Sequence, residues 1–416
     1  MRVGIIDAEI IGKSKHRFPN LACMKISSYH KQQGDDVALL LDYNSTAQYD
    51  KVYISKVFIK TEIPGEPVDK THKTEENIVE WYKDNAFLKQ PNIEYGGTGF
   101  FYNKSPNLPC EIERSMPDYH LYDEWVNEKI SSGVKRSEFT YYLDYSIGYL
   151  TRKCFRGCYY CVNRDYKKVE IASSVYEFMN ETRPKLCFLD DNFLGCSKWR
   201  ELIKPVIDSG KRFQFKQGLD ERLLTSSAIE EISKWKYDGE MIFAFDNIED
   251  RNLIVSKLNL IRKTVPNWKR GLKFYVFCGC DKNKVYDDAF WETDIRNLFE
   301  RITILRAFGA IPYVMRHEDV YKSEYSSFYA TVASYCNQPS RFKSLSFRLF
   351  SQCSGMGKRG YKTYKLDVDG YLRDRGFKGS EWRSMEFIQN KFPNIANKYF
   401  DIDKSTDLSV YREVIK

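Results

Sequence analysis

Three cysteines within eight residues constrain this chain more than any other feature of its sequence. The segment containing Cys154, Cys158 and Cys161 reads C-F-R-G-C-Y-Y-C and directly follows an apolar run, residues 147–150, that predicts a strand. Thiols this close together are typical of metal ligands rather than of separate core residues. Iron–sulfur clusters normally have four Cys ligands, so three suit a cubic [4Fe-4S] cluster whose fourth iron stays open to another ligand.

This spacing, with Tyr160 before the last cysteine, resembles the Cys-x3-Cys-x-aromatic-Cys motif of the radical S-adenosylmethionine (SAM) superfamily. The resemblance implies that SAM binds the open iron of a [4Fe-4S] cluster held by the three cysteines. An electron from a donor such as flavodoxin or ferredoxin then cleaves SAM to a 5′-deoxyadenosyl radical, which abstracts hydrogen from a substrate. The alternative is a zinc site, which would need a fourth Cys or His at zinc-ligand spacing near the loop.

Cysteine usage and hydropathy predict a cytoplasmic protein. The eleven cysteines are an odd number and three of them are clustered, which fits a reducing compartment better than a disulfide framework. The amino terminus reads as a buried strand rather than a signal peptide, and no apolar run reaches about 18 residues, so we expect no membrane segment. The net charge of +8 is a mild bias that is compatible with an anionic substrate such as nucleic acid.

Residues 1–125 alternate between apolar strands and helical segments, which predicts a Rossmann-like, doubly wound α/β domain. The predicted strands are residues 2–7, 37–41, 51–58 and 92–95. A helix is predicted over residues 19–33, with Asn20 as its cap and Gly34 as its stop. The fourth strand leads into a glycine-rich run, residues 96–99, where the backbone can turn sharply or approach a ligand.

This layout resembles the cobalamin-binding domain that precedes the barrel in one large group of radical SAM enzymes. Members of that group often carry Asp-x-His-x-x-Gly after an early strand, and none of the five histidines here lies in that motif. The nearest segment, around Asp118 and His120, lacks the glycine. We therefore expect that cobalamin is not bound and that the domain helps to shape the substrate entrance.

Prolines at 106, 109 and 117 predict an irregular connector over residues 100–140. Residues 140–345 then show six apolar strands separated by helical segments, which the resemblance identifies as a partial (β/α)6 radical SAM barrel. The predicted strands are residues 147–150, 186–189, 212–215, 241–245, 272–277 and 311–315. In such barrels the functional residues gather at the carboxyl ends of the strands.

Polar residues follow several of these strands. Asp190, Asp191 and Asn192 come after the second strand, where the resemblance implies acceptors for the ammonium of SAM. Since Asp and Asn also cap helices, a structural role is the alternative.

The third and fourth strands are followed by further candidates. Gln217 and Arg222 are candidates for the ribose and the carboxylate of SAM, and Asp246 and Asn247 for the ribose or the substrate. Arg222 forming a structural ion pair is the competing interpretation. Tyr313 and Arg316, around the end of the sixth strand, are weaker candidates on the substrate side.

Cys278 and Cys280 end the fifth strand, at the depth where a substrate should lie. A thiol there could donate hydrogen to a substrate radical, or the pair could help to bind a second cluster. The alternative is that both are small, structurally buried residues.

Residues 346–416 depart from the alternation and predict a small C-terminal extension. Between residues 358 and 383, eight Lys and Arg are interleaved with five aromatic residues. Basic groups and aromatics suit single-stranded nucleic acid, where phosphates are neutralised and bases stack. The alternative is a partly packed extension that covers the barrel.

Two classes of function remain. The first is a radical SAM enzyme acting on RNA or a nucleotide-derived substrate, with a peptide or another small molecule as the alternative substrate. The second is a non-catalytic iron–sulfur module that binds nucleic acid, for which loss of the polar strand ends would be expected.

Overall fold

The computed structural model describes residues 1–69, 73–354 and 379–415. The chain divides into two compact units, Met1–Lys216 and Gln217–Lys416. Both contain parallel sheets together with helices, so the predicted mixed α/β class is confirmed.

The first unit begins with a four-stranded parallel sheet in the order β2-β1-β3-β4. Its strands are β1 (Arg2–Asp7), β2 (Asp36–Leu39), β3 (Lys51–Ser55) and β4 (Ile93–Gly96). All four lie at the predicted places, since each is a short apolar run bounded by turn residues. All four strands are parallel, and β1 lies between β2 and β3.

Helix α1 (Leu21–Gln32) confirms the predicted first helix and its cap. The side-chain oxygen of Asn20 accepts hydrogen bonds from the backbone N–H groups of Ala22 and Cys23, at 3.1 and 3.3 Å. Gly34, just beyond the helix, has a φ of +81°, which explains why glycine ends it.

The segment of residues 100–140 is not the irregular connector that its prolines predict. It contains helix α5 (Asp123–Ser131), and Trp125 packs in one core with Val3 and Ile5 of the first sheet. Apolar residues spread over several short helices explain why periodicity failed here. Besides α5, the helices that lie in or overlap this region are α3 (Thr98–Phe101), α4 (Cys110–Glu113) and α6 (Thr140–Leu143), and α2 (Ile78–Lys83) precedes β4.

A second parallel sheet follows in the same unit, in the order β5-β8-β9. Its strands are β5 (Tyr145–Gly148), β8 (Lys185–Phe188) and β9 (Arg212–Phe215), and α7 (Trp199–Asp208) connects the last two. Between β5 and β8 lies a short antiparallel ladder of β6 (Thr151–Arg152) and β7 (Glu170–Ile171). Two-residue strands carry no period, so the sequence did not predict this ladder.

The second unit contains a three-stranded parallel sheet in the order β10-β11-β12. The strands are β10 (Met241–Ala244), β11 (Leu272–Cys278) and β12 (Ile311–Arg316), each within two residues of its predicted bounds. The helices that accompany them are α8 (Ser226–Ser233), α9 (Arg251–Thr264), α10 (Asp288–Ala307) and α11 (Ser326–Cys336).

The carboxyl-terminal residues form helices that pack on aromatic side chains of the second unit. Phe400 lies 5.0 Å, between ring centroids, from both Phe299 and Phe347. The helices are α12 (Pro339–Ser344), α13 (Phe347–Cys353), α14 (Ser380–Lys391) and α15 (Pro393–Tyr399). Most of the basic, aromatic run predicted to bind nucleic acid, residues 358–378, lies outside the described residues.

Helix α10 spans 20 residues and carries charged residues along its length. In the described ranges, no helix combines the length and the apolar character needed to cross a membrane.

Candidate functional site

The three-cysteine segment lies in a loop, residues 153–169, whose two ends are joined by the β6–β7 ladder. Thr151 pairs with Ile171 and Arg152 with Glu170. The ammonium of Lys153 lies 2.8 Å from the Glu170 carboxylate at the same neck. The chain therefore leaves the sheet after β5, forms this loop and returns to the same place through the ladder. We call residues 153–169 the cysteine loop.

Within the cysteine loop, a tight turn brings Cys158 and Cys161 together. The N–H of Cys161 donates to the carbonyl oxygen of Cys158 at 2.9 Å, and Gly157 supplies a φ of +63° just before. Burial raises the pKa of the Cys161 thiol to about 11, and the nearby thiols of Cys158 and Cys154 act in the same direction. The thiols of Cys154 and Cys158 are thus close enough to Cys161 to affect its pKa. None of the three cysteines forms a disulfide.

Nitrogen donors surround two of these sulfurs. The backbone N–H of Arg156 donates to Sγ of Cys154 at 3.5 Å, and that of Asn163 to Sγ of Cys161 at 3.4 Å. A third donor is the side-chain amide of Asn192, 3.4 Å from Sγ of Cys154. Such hydrogen bonds stabilise thiolates and are one means by which proteins set the potential of an iron–sulfur cluster.

Asp190, two residues after the end of β8, binds the backbone just before the cysteine loop rather than solvent. Its side chain is fully buried and accepts hydrogen bonds from the N–H of Leu150 at 3.2 Å and of Thr151 at 2.6 Å. The Thr151 hydroxyl adds a third at 2.7 Å. Burial raises the pKa of the Asp190 carboxyl to about 7, while these hydrogen bonds act in the opposite direction.

Asp191 binds both sides of the loop. Its carboxylate accepts hydrogen bonds from the N–H of Lys153 and from the side-chain amide of Asn163, both at 2.7 Å. Its side chain is only partly buried, so it is the more accessible of the two carboxylates. Burial raises the pKa of Asp191, and the Lys153 N–H lowers it.

Asn192 completes the set. Besides contacting Cys154, its side-chain oxygen accepts a hydrogen bond from the N–H of Gly195 at 3.1 Å and so caps the short 3-10 helix Phe193–Gly195. Asp190 therefore holds the backbone that leads into the cysteine loop, and Asp191 and Asn192 hold points within the loop. We call these three consecutive residues the loop clasp.

Tyr160, the predicted aromatic of the motif, is partly buried and packs edge-to-face on Tyr159, with ring centroids 5.2 Å apart. Its predicted contact with SAM stays a prediction.

The donor set of the cysteine loop fits a cluster that takes three protein thiolates. Within the parts of the chain that the structure describes, no three His, Cys, Asp or Glu side chains are grouped so that they could hold a metal ion. In a cubic cluster each cysteine binds a separate iron, so the three thiolates need not gather around one ion. Cys154, Cys158 and Cys161 are the residues that would hold such a cluster.

The amino-terminal part of the first unit contacts the cysteine loop and the strands that carry it. The side-chain amide of Asn103 donates to Asp165 at 2.8 Å, and Arg152 lies 3.0 Å from the Glu113 carboxylate. The buried Tyr119 hydroxyl donates to the carbonyl of Phe178 at 2.6 Å. These contacts place residues 100–120 along one side of the loop.

His120, in the segment nearest to the expected cobalamin motif, has a protein partner, and so does His30. His30 is buried between the carboxylate of Asp35 at 2.7 Å and the Tyr53 hydroxyl at 3.0 Å. His120 is exposed and lies 2.7 Å from the Asp123 carboxylate. The prediction that cobalamin is not bound stays a prediction.

In the second unit, Arg222 has the internal partners that its competing interpretation requires. Its Nε lies 2.7 Å from the carboxylate of Asp220, and Nη1 lies 3.5 Å from that of Asp250. Gln217 is exposed at the start of the same loop. Neighbouring Glu221 is buried, which raises its pKa to about 8. A SAM carboxylate would therefore compete with Asp220 for Arg222.

Asp246 and Asn247 follow β10. The Asp246 carboxylate accepts the N–H of Phe277 at 2.9 Å and so ties β10 to β11. Asn247 precedes the 3-10 helix Ile248–Asp250 without capping it through its side chain. Both are partly buried.

Arg301 is a residue that sequence reasoning missed. It lies in α10, is buried, and donates to the carbonyl oxygens of Phe245, Asp246 and Phe277 at 2.8–2.9 Å. Its hydrogen bonds thereby satisfy backbone carbonyl groups at the carboxyl ends of β10 and β11. Charged residues occur along the whole of α10, so nothing local distinguished Arg301 in the sequence.

Cys278 is 2% exposed, and its thiol donates to the carbonyl of Met315 at 3.4 Å. Burial raises the pKa of Cys278 well above the ordinary thiol range. Cys280 is partly buried. Their contact with a substrate radical stays a prediction. Tyr313 is 40% exposed, and Arg316 stacks over Tyr321 at 4.9 Å.

The sequence matches no model of a known protein family, and it matches no curated protein. The chemistry of the site is therefore inferred from the residues of this chain.

Proposed function

We propose that this chain is a radical SAM enzyme that modifies its substrate through a 5′-deoxyadenosyl radical. The observation that carries the proposal is the loop clasp: three consecutive residues at the end of β8 fix a loop that bears three neighbouring cysteines. Three thiolates leave one iron of a [4Fe-4S] cluster open, and bound SAM would supply the radical chemistry there.

The residues of the chain would then hold the cluster, fix the cysteine loop and position SAM. Cys154, Cys158 and Cys161 would hold the cluster, and the Asn192 amide would stabilise the Cys154 thiolate. Asp191, partly buried beside the loop, is the better placed of the two carboxylates to accept the ammonium of SAM. Asp190, fully buried, would fix the loop rather than contact SAM.

The finer architecture belongs to the same proposal. The order β2-β1-β3-β4 supports a Rossmann-like amino-terminal domain over residues 1–125. The two three-stranded parallel sheets, with their strands in sequential order, support a partial (β/α)6 barrel over residues 140–345. Residues 346–416 would then form the C-terminal extension. The contacts of residues 100–120 with the loop support an amino-terminal domain that walls the site without cobalamin.

For the substrate, RNA or a nucleotide-derived molecule is favoured by the net charge of +8 and by the basic, aromatic run near the carboxyl terminus. A peptide or another small molecule is the alternative. The reaction also needs a one-electron donor such as flavodoxin or ferredoxin, and the proposal includes a cytoplasmic location and no membrane partner.

One observation favours the second candidate function, an iron–sulfur module without catalysis. Asp190, Arg222 and Asp246, all predicted to face a ligand, have internal partners that a purely structural role would also require.

SAM cleavage separates the two functions. The protein would be reconstituted anaerobically with iron and sulfide, reduced with dithionite and mixed with SAM. An enzyme releases 5′-deoxyadenosine, and a variant with all three cysteines changed to Ala releases none. A module retains its iron under the same conditions but leaves SAM intact.

A further inference from the structure

One side of the cysteine loop opens onto a groove of about 410 Å³ in the first unit. Its apolar part includes Phe155 and Ile171, which are 37% and 52% exposed. Lys167, Lys168 and Lys198 also line it, and all three are exposed. We call this surface the loop groove.

The loop groove lies beside Cys154, one of the three proposed cluster ligands. Phe155 follows Cys154 directly in the chain. On the other wall, Gly195 lies so close that a Cβ there would meet the Phe155 ring at 2.8 Å and the Asn192 side chain at 3.2 Å. Asn192 in turn lies 3.4 Å from Sγ of Cys154. A partner seated in the groove would therefore approach the Cys154 side of the cluster through Phe155, Gly195 and Asn192.

Within the described ranges, the residues that line the groove carry only positive charge. Among the described residues that line it, three are lysines and none is acidic. The carboxylate of Glu170 pairs with Lys168 at 3.2 Å but also with Lys153 at 2.8 Å, so it offsets at most one of the three lysines. Exposed apolar side chains beside a cationic rim are typical of a protein-binding surface, and clustered positive charge accelerates association with an acidic partner.

We propose that the loop groove is the docking surface for an acidic protein that carries one electron at low potential. The proposal rests on the proposed function, because it requires a cluster on Cys154, Cys158 and Cys161. In the docked complex the reduced carrier would be oxidised by one electron, and a cluster held by Cys154, Cys158 and Cys161 would accept that electron. No proton or other group is transferred. The cationic rim supplies orientation, and the apolar part supplies contact area for a transient complex.

Charge reversal in the groove tests this proposal on the full-length, cluster-loaded protein. The variant is Lys167→Glu with Lys168→Glu. The matched control is Lys83→Glu with Lys89→Glu, which makes the same change of charge at two exposed lysines that do not line the groove. The probe is a purified acidic flavodoxin. Its affinity in the oxidised state is measured at several salt concentrations, and its rate of cluster reduction is followed by stopped-flow absorbance.

We expect the groove variant to bind flavodoxin at least about tenfold more weakly, with a smaller dependence of affinity on salt. Cluster reduction by flavodoxin should slow in proportion, while reduction by dithionite and iron content stay as in the wild type. The control variant should keep at least half of the wild-type affinity.

Flavodoxin affinity equal in the groove variant and the wild type would overturn the proposal. So would a loss of affinity for a single-stranded RNA oligonucleotide without a loss for flavodoxin, which would assign the groove to nucleic acid instead. The proposed function is tested separately, because dithionite-driven release of 5′-deoxyadenosine by the wild-type protein does not use the groove.

Discussion

The side-chain amide of Asn192 donates a hydrogen bond to Sγ of Cys154 across 3.4 Å, while its carbonyl oxygen caps a helical turn at Gly195. One side chain thus links the end of β8 to the first cysteine of the loop. A hydrogen bond to sulfur stabilises the reduced, more negative state of a cluster and so raises its reduction potential.

Asn192→Ser should therefore lower the reduction potential of the reconstituted cluster. Serine keeps the capping oxygen but is too short to reach Cys154. A hydrogen bond of roughly 1 kcal/mol corresponds to about 40 mV for a one-electron couple, which is the expected shift. Redox titration followed by electron paramagnetic resonance measures it. A potential equal to that of the wild type would show that the contact is absent in the loaded protein.

Asp191→Asn should weaken SAM binding by about ten- to a hundredfold, because a charge-assisted hydrogen bond contributes roughly 1.5–3 kcal/mol. The iron content should remain that of the wild type, since the new side chain keeps one oxygen for the N–H of Lys153, and its NH2 group can donate to the side-chain oxygen of Asn163 once the Asn163 amide rotates. Equilibrium binding of SAM to the anaerobic protein measures the effect. Unchanged affinity would move the ammonium site to another residue.

Asp190→Asn should act on the loop instead. Its amide nitrogen would face the N–H of Leu150 or Thr151, which leaves buried donors without acceptors. We expect lower iron retention after gel filtration and a lower unfolding midpoint. If Asp190→Asn retained iron but lost SAM binding, the roles assigned to the two carboxylates would have to be exchanged.

Asp7 should make stability depend on pH. It is fully buried at the end of β1, and burial raises its pKa to about 7, against a hydrogen bond from the Tyr122 hydroxyl that lowers it. An unfolded Asp has a pKa of about 3.9, so between roughly pH 4 and pH 7 the folded state binds the extra proton and stability falls as pH rises.

Asp7→Asn should remove this dependence, which amounts to about 1.4 kcal/mol for each pKa unit. Urea unfolding at roughly pH 5 and pH 8 compares the variants. Tyr122→Phe is the companion variant: without its hydroxyl the pKa of Asp7 rises further, and the loss of stability should move to higher pH. Equal slopes in the wild type and Asp7→Asn would contradict the assignment.

Gly97→Ala should destabilise the amino-terminal sheet by a few kcal/mol. Gly97 has a φ of +106°, and a Cβ there would lie 2.2 Å from the carbonyl oxygen of Lys56. Gly96→Ala is the matched control, because a Cβ at Gly96 meets nothing within 4 Å and its backbone is not left-handed. Thermal unfolding followed by circular dichroism compares the two. Similar midpoints would show that the turn can relax.

Most strands were predictable from the sequence because each contains a short, mainly apolar run ended by a turn or a polar residue, whereas the two-residue strands β6 and β7 were not. The three cysteines and the polar residues after β8 were also predictable as a site. The partners of those polar residues were not. A carboxylate at the end of a strand can bind a ligand or a backbone N–H group, and only the fold shows that Asp190 binds Leu150 and Thr151.

Hydrogen bonds between residues that are far apart in the sequence could not be predicted, for the same reason. Arg301 and the carbonyl of Phe245 are separated by 56 residues, and no local pattern relates them. The core position of Trp125 was missed because prolines suggested an irregular segment, whereas burial against Val3 and Ile5 outweighed that local preference.

The central claim is that three cysteines hold a cluster with one iron open to SAM, and the most direct test is iron and sulfide content combined with electron paramagnetic resonance of the reduced protein. The account predicts about four irons and four sulfides per chain, a cluster signal that changes when SAM is added, and loss of both in the variant with Cys154, Cys158 and Cys161 changed to Ala. Full iron content in that variant, or a wild-type signal that SAM leaves unchanged, would contradict it.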